Sequence, residues 1–156
     1  MSRQRRSSSC DIMRAPEKRP DNRNRLYTSC EDFSWKGVQV EKYKSDGDDW
    51  SGIARKVLIG SRGESAKFHL RYFEIEPGGF SSFETHKHEH VVITVRGRGR
   101  AKVNRRILDL KYLDVLYVNP DSPHRLSNPY EEPFGFFCIV NAKRDRPKII
   151  NKKPKN

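Results

Sequence analysis

Three of the five histidines in this chain, His86, His88 and His90, fall within five positions, with Glu84 and Glu89 among them. An apolar, β-branched run (Val91-Val92-Ile93-Thr94-Val95) follows at once, and Gly78-Gly79 and Gly97 bracket the whole. Imidazole and carboxylate donors together suit Mn, Fe, Ni, Cu or Zn. Alternate residues of a strand point to one face, so Glu84 and His86 share a face if they lie on a strand. A turn at Lys87-His88-Glu89 then lets His90 open the next strand and face back across a hairpin. A distant histidine, His124, follows the loop Asn119-Pro120-Asp121-Ser122-Pro123, with Asn128 four residues on. The same histidines at a solvated hairpin tip would do no chemistry; ligand number and geometry separate the two readings.

The elements that must hold these residues are short and strand-like. From Phe33 onward, Trp35, Val38, Val40 and Tyr43 are spaced for one or two strands, and Ser45-Asp46-Gly47-Asp48-Asp49 marks a turn. A strand is expected through Val57-Leu58-Ile59 and another over residues 66–76, which Pro77-Gly78-Gly79 ends. His69, inside that strand, matches no ligand spacing. Arg96-Gly97-Arg98-Gly99-Arg100 reads as a hairpin turn whose glycines supply positive φ, too short for an RNA-binding glycine-arginine tract. Further strands are expected over 113–118 and 134–140. No amphipathic helix stands out, and about ten strands at turn spacing indicate an all-β sandwich or barrel.

The chain of 156 residues carries a net charge of +12, but the charge sits at the ends. Residues 1–30 hold eight Lys/Arg against three Asp/Glu, residues 142–156 seven against one, and residues 31–141 seventeen against sixteen. Basic ends without a nucleic-acid-binding motif argue against specific nucleic-acid reading. Residues 1–32, poor in large apolar side chains, are expected to be a disordered basic tail, 33–143 one barrel, and 144–156 a second basic tail. Cys10, Cys30 and Cys138 form no CxxC pair, which points to a reducing, cytoplasmic compartment, with Cys138 expected as a core thiol. No apolar run reaches membrane-spanning length, so no membrane partner is expected. Exposed strand edges suggest a homodimer.

The two histidine segments resemble the paired motifs of the cupin superfamily. The first family motif is Gly, five residues, His, one, His, three or four, Glu, six, Gly; the chain has Gly78, Glu84, His86, His90 and Gly97 at that spacing. Glu84 stands where the first His is usual, and His90 where the Glu is. In the second motif Asp114, His124 and Asn128 are kept, while Leu113 and Asp121 replace glycines and Asn119 replaces a proline. The resemblance implies a double-stranded β-helix, or jelly-roll barrel, with one divalent metal held by Glu84, His86, His90 and His124, and His88 as the alternate in a shifted register.

Longer strings extend the likeness over about residues 48–147. Among them are Asp49-Trp50-Ser51-Gly52-Ile53, the run from Arg71 to Gly79, and the run from Phe137 to Pro147. They are similar to single-domain bacterial cupins that include manganese-dependent enzymes of the methylthioxylulose 5-phosphate methylsulfurylase type. This implies an enzyme, a lyase or transferase of methionine salvage, that enolises a phosphorylated ketose and passes a methylthio group to a thiol, with Mn ahead of Fe, Ni and Zn. Glu84, Glu74 or Tyr72 would serve as the base, and Arg125, Arg144 or Arg146 would hold the phosphate. The alternatives are an oxygen-activating metal cupin, such as a dioxygenase, and a non-catalytic cupin that only binds a metal or small ligand.

Overall fold

A computed structural model describes residues 21–44 and 47–150. The described residues form strands and no helix: β1 (Ser29–Cys30), β2 (Ser34–Trp35), β3 (Val40–Lys42), β4 (Ser51–Ile59), β5 (Phe68–Phe80), β6 (Glu84–Thr85), β7 (His90–Arg96), β8 (Gly99–Val103), β9 (Arg106–Leu110), β10 (Val115–Val118), β11 (His124–Ser127), β12 (Phe134–Asn141) and β13 (Lys148–Ile149). All main pairings are antiparallel, and the sheet curls on itself. One half runs β10-β7-β12-β5, with β4 on β5 and β3 on β4. In the other, β11 pairs with the end of β5, with β6 and with β8, while β9 closes on β8 and β13 on β6.

The strand β5 joins the halves. Pro77-Gly78-Gly79 does not end it, as expected from sequence, but lies inside it. Gly78 has φ +78°, and a Cβ on Gly79 would sit 2.8 Å from the Ser51 carbonyl oxygen and 2.9 Å from that of Gly52. Only glycine lets β4 approach so closely while β5 bends from one half to the other. The turn at Gly97-Arg98 is also not a hairpin. Gly97 does adopt φ +59°, but β7 pairs with β10 and β12, whereas β8 pairs with β11 and β9. Likewise β6 and β7 do not face each other across a hairpin; residues 86–89 cross between the two halves. This crossing brings histidines from both halves to one interior.

The two residues that replace glycines in the second motif keep the backbone that glycine would supply: Leu113 has φ 67° and Asp121 φ 61°. Left-handed backbone costs a non-glycine residue on the order of 1–2 kcal/mol, so surrounding contacts hold both turns. The Leu113 N–H donates to the Thr94 carbonyl and the Asp121 N–H to the His86 carbonyl, each at 2.8 Å. The interior is filled by Ile53, Phe73, Ile75, Val92, Leu126, Phe134 and Phe136. Tyr72, on the outer face of β5, is buried under Phe33 and Trp35, with ring centroids 5.8 and 5.2 Å away.

Two segments expected as tails carry structure. Within the first, Ser29 pairs with Trp35 and Cys30 with Ser34. Within the second, Lys148 pairs with Thr85 and Ile149 with Glu84. The expected disorder of residues 1–20 and 151–156, and Cys10 with it, falls outside the described residues.

Candidate metal centre

His86, His90 and His124 converge inside the barrel. One ligand atom from each lies within 4.8 Å of the others. Ring centroids are separated by 5.1 Å (His86–His90), 4.8 Å (His86–His124) and 4.7 Å (His90–His124). The crossing segment supplies His86, the first residue of β7 supplies His90, and the first of β11 supplies His124. β11 is set beside β6 by the pair His124 with Glu84.

Each ring is oriented through its Nδ1. That of His86 meets the His88 carbonyl oxygen at 2.6 Å, that of His124 the Ser122 carbonyl at 2.8 Å, and that of His90 the Cys138 Sγ at 3.4 Å. A carbonyl accepts only, so Nδ1 of His86 and of His124 carries the proton and Nε2 carries the lone pair. The Nε2 of His90 is buried and has no hydrogen-bond partner. A buried, orphaned imidazole nitrogen facing two others is what a metal site requires of its ligands. The three histidines fit a divalent metal ion.

Burial holds all three imidazoles below their ordinary pKa, His90 well below; repulsion from His124 adds to the shift of His86 and His90, and repulsion from His88 and Lys44 to that of His124. They are neutral at neutral pH, the state that binds metal. Between the ordinary value near 6.5 and the lowered folded value, the unfolded chain binds more protons than the folded one. This contribution to the stability of the metal-free protein is therefore fully present above the window and is lost as pH falls through it. Thermal melts near pH 7.5 and pH 5.5 test this: a lower melting temperature at acid pH is expected, and a smaller drop in His90→Gln. A flat profile would contradict the buried, neutral assignment.

Glu84, the fourth ligand expected from sequence, is not part of the group. It lines the same cavity, but its Oε2 is taken by the Lys44 ammonium and by the Ser82 hydroxyl at 3.0 Å. The hydroxyl of Tyr43 lies 3.3 Å from that of Ser82. His88 is neither a fourth member nor a solvated turn residue. It is buried and stacks on His86 with ring centroids 3.8 Å apart, and its Nδ1 lies 2.8 Å from Asp145 Oδ1. The Lys87 backbone N–H and this His88 contact hold the Asp145 carboxyl down to about 2.

The structure does not bring Tyr72 and Glu74 to the histidines. Tyr72 donates to Glu74 at 2.6 Å, Arg96 donates to the same carboxylate at 2.9 Å, and both residues occupy the face of β5 opposite Phe73 and Arg71, which line the cavity. Among the arginines expected to bind phosphate, Arg144 lines the cavity. Arg125 alternates with inward His124 and Leu126, and its guanidinium lies over the Phe80 ring at 4.8 Å; Arg146 is exposed. His69 stays outside the group, its Nδ1 accepting from Arg144 at 3.2 Å. Cys138 is a buried thiol as expected, and burial pushes its pKa up. The cavity of about 210 Å³ is also lined by Lys44, Arg55 and Arg71, none of which the motifs flagged. Arg71 had a visible signal: it is in phase with Phe73 and Ile75, so it is a charge on a core-facing register.

The profile of the Cupin domain family matches residues 71–140. A curated protein of Rhodospirillum rubrum, 1-methylthio-D-xylulose 5-phosphate methylsulfurylase, is 37% identical over 118 residues, 75% of this chain and 74% of that protein. The chain belongs to the cupin family. A crystal structure of a cupin-2 domain from Rhodospirillum rubrum superposes with TM-score 0.71 at 34% identity, covering 86% of this chain and 84% of that one. A cupin 2 conserved barrel domain protein from Rhodopseudomonas palustris gives TM-score 0.75 at 31% identity, over 81% and 87%. No helix among the described residues is long and apolar enough to cross a membrane.

Proposed function

We propose that this cupin is a manganese-dependent enzyme that removes the methylthio group from a methylthioxylulose 5-phosphate type ketose, with a thiol as acceptor. The observation that carries the reading is the orphaned Nε2 of His90 facing His86 and His124 inside a cavity also lined by Arg71 and Arg144, neither of which pairs with a carboxylate among the described residues. The 37% identity to the methylsulfurylase supplies the substrate class. A bound divalent metal would polarise the ketose carbonyl and stabilise the enolate.

The chemistry balances without an outside oxidant. The thiol sulfur attacks the methylthio sulfur; an S–S bond forms as the C–S bond breaks. The C–S electron pair becomes an enolate, and that carbon then takes a proton. The thiol ends as a methyl disulfide and the sugar as its 1-deoxy form. Of Glu84, Glu74 and Tyr72, the bases expected from sequence, only Glu84 lines the cavity, so it is the group we assign for proton transfer. The test is incubation of manganese-loaded protein with 1-methylthio-D-xylulose 5-phosphate and glutathione under nitrogen, read by mass spectrometry. Both products should appear together.

A second reading has its own support. Three imidazoles with Glu84 held away by Lys44 also suit an oxygen-activating iron or copper centre. Oxygen uptake with the iron-loaded protein, and no methylthio release under nitrogen, would favour it.

We further infer a homodimer. On the outer face, Tyr117 lies beside Val91 and Val115 beside Ile93, and these continue to Ile139 and Phe137 on β12. Val115 is 64% and Tyr117 59% exposed, and among the described residues β10 pairs with β7 alone, which leaves its other edge without a strand partner there. An open apolar edge is self-complementary across a two-fold axis. Light scattering should give twice the 18.3 kDa chain mass, and Tyr117→Asp should give the monomer. A wild-type monomer at tens of micromolar would overturn the inference.

A further inference from the structure

We propose that Arg71 and Arg144, flanked by Arg55, form an anion subsite of the cavity that receives the phosphate of a phosphomonoester whose other end lies at the three histidines. The proposal deepens the reading above and rests on it for the identity of the rest of the ligand. The register places the arginines together: Arg55 pairs with Phe73 and Val57 with Arg71, so Arg55 and Arg71 are diagonal neighbours on the cavity-facing side of β4 and β5. Arg144 follows β12, which pairs with β5 on its other side.

Charge balance singles out two of the three. Arg55 pairs with Glu41 at 2.9 Å, and the other cation of the cavity, Lys44, is taken by Glu84. Among the described residues neither Arg71 nor Arg144 pairs with a carboxylate. The Nη2 of Arg71 donates to Cys138 Sγ at 3.3 Å, a weak acceptor, and its Nε is buried with no partner. Among the described residues Arg144 donates through Nη1, to His69 Nδ1 at 3.2 Å and to the Asn141 and Ala142 carbonyls at 3.0 and 3.5 Å. The guanidinium is thus fixed by one corner. Burial, then repulsion from Arg71 and Arg55, pull the pKa of Arg144 down. Two planar, positively charged forks lining one cavity, without a carboxylate partner among the described residues, match a group with three charged oxygens better than one with two. Cys138 touches both Arg71 and His90, which puts the subsite next to the histidine group.

The test is calorimetric titration of the full-length protein with inorganic phosphate, and with acetate for comparison. Wild type should bind phosphate, and acetate at least about tenfold more weakly. Arg71→Gln and Arg144→Gln should each weaken phosphate at least about tenfold, while Arg125→Gln, outside the cavity, binds as wild type does. Should Arg71→Gln misfold by circular dichroism, Arg144→Gln, at an exposed position, carries the test. No phosphate binding by wild type, equal binding by the Arg144→Gln variant, or acetate bound as tightly as phosphate would overturn the subsite. The titration needs neither metal nor turnover. Phosphate bound at these arginines by a protein that releases no methylthio group would keep the subsite and remove the proposed reaction; turnover without the arginine dependence would do the reverse.

Discussion

Replacing His124 with alanine is expected to lower the affinity for a divalent metal by more than about a hundredfold. Loss of an outer-shell partner alone typically costs about 10–100-fold, and here a ligand itself is removed. The three imidazoles are set by elements from both halves of the barrel, and each is oriented through its own Nδ1, so removing one leaves two of the three converging donors. Glu84, the pairing partner of His124, is tied to Lys44 and Ser82. Titration of Mn²⁺ or Zn²⁺ against a chromophoric chelator reads the effect. His88→Ala should cost less, because His88 acts through its stacking on His86. Equal affinity in wild type and His124→Ala would place the metal elsewhere.

The largest expected effect on folding comes from Asn128. Its side chain is 1% exposed and donates to the Ile75 carbonyl at 2.9 Å and the Glu132 carbonyl at 2.7 Å, while accepting from the Tyr130 N–H at 3.0 Å. Alanine removes all three bonds and strands the buried Ile75 carbonyl of β5 and two part-buried backbone groups of the loop between β11 and β12. At roughly 1–3 kcal/mol for a buried group left unpaired, with partial relief by relaxation, the loss is about 3–5 kcal/mol. For a domain of this size that lowers the melting temperature by about 10 °C. Scanning calorimetry of the metal-free variant checks it. A shift within about 2 °C, the scale of an ordinary surface substitution, would show that Asn128 does not join these segments.

Much of this was legible in the chain, and the gaps have a common cause. Alternation along residues 66–76 showed a strand, and the spacing of Gly78, His86, His90 and Gly97, with His124 and Asn128, showed the family and the three histidines. Pro77-Gly78-Gly79 misled because such residues normally end a strand; here a close approach by β4 requires them inside one. The expected hairpins at His86–His90 and at Gly97 misled because strand partners are chosen across the barrel, not by the turn. Glu84 was counted as a ligand on motif position, since the cation that neutralises it, Lys44, lies 40 residues away and in no motif. Tyr72 and Glu74 were legible as misplaced. Their phase is opposite to that of Phe73 and Ile75, which already fixes them outside the barrel. The second basic segment hid β13 and Asp145 because a two-residue strand has no periodicity to show.

The most direct test is elemental mass spectrometry of wild-type protein purified without chelator or metal-affinity resin. Convergence of His86, His90 and His124 predicts one tightly held divalent metal per chain, lost in both His86→Ala and His124→Ala. Wild-type protein that holds no metal even after incubation with Mn²⁺, Fe²⁺ or Zn²⁺ would contradict it, and the catalytic reading built on the three histidines would fall with it.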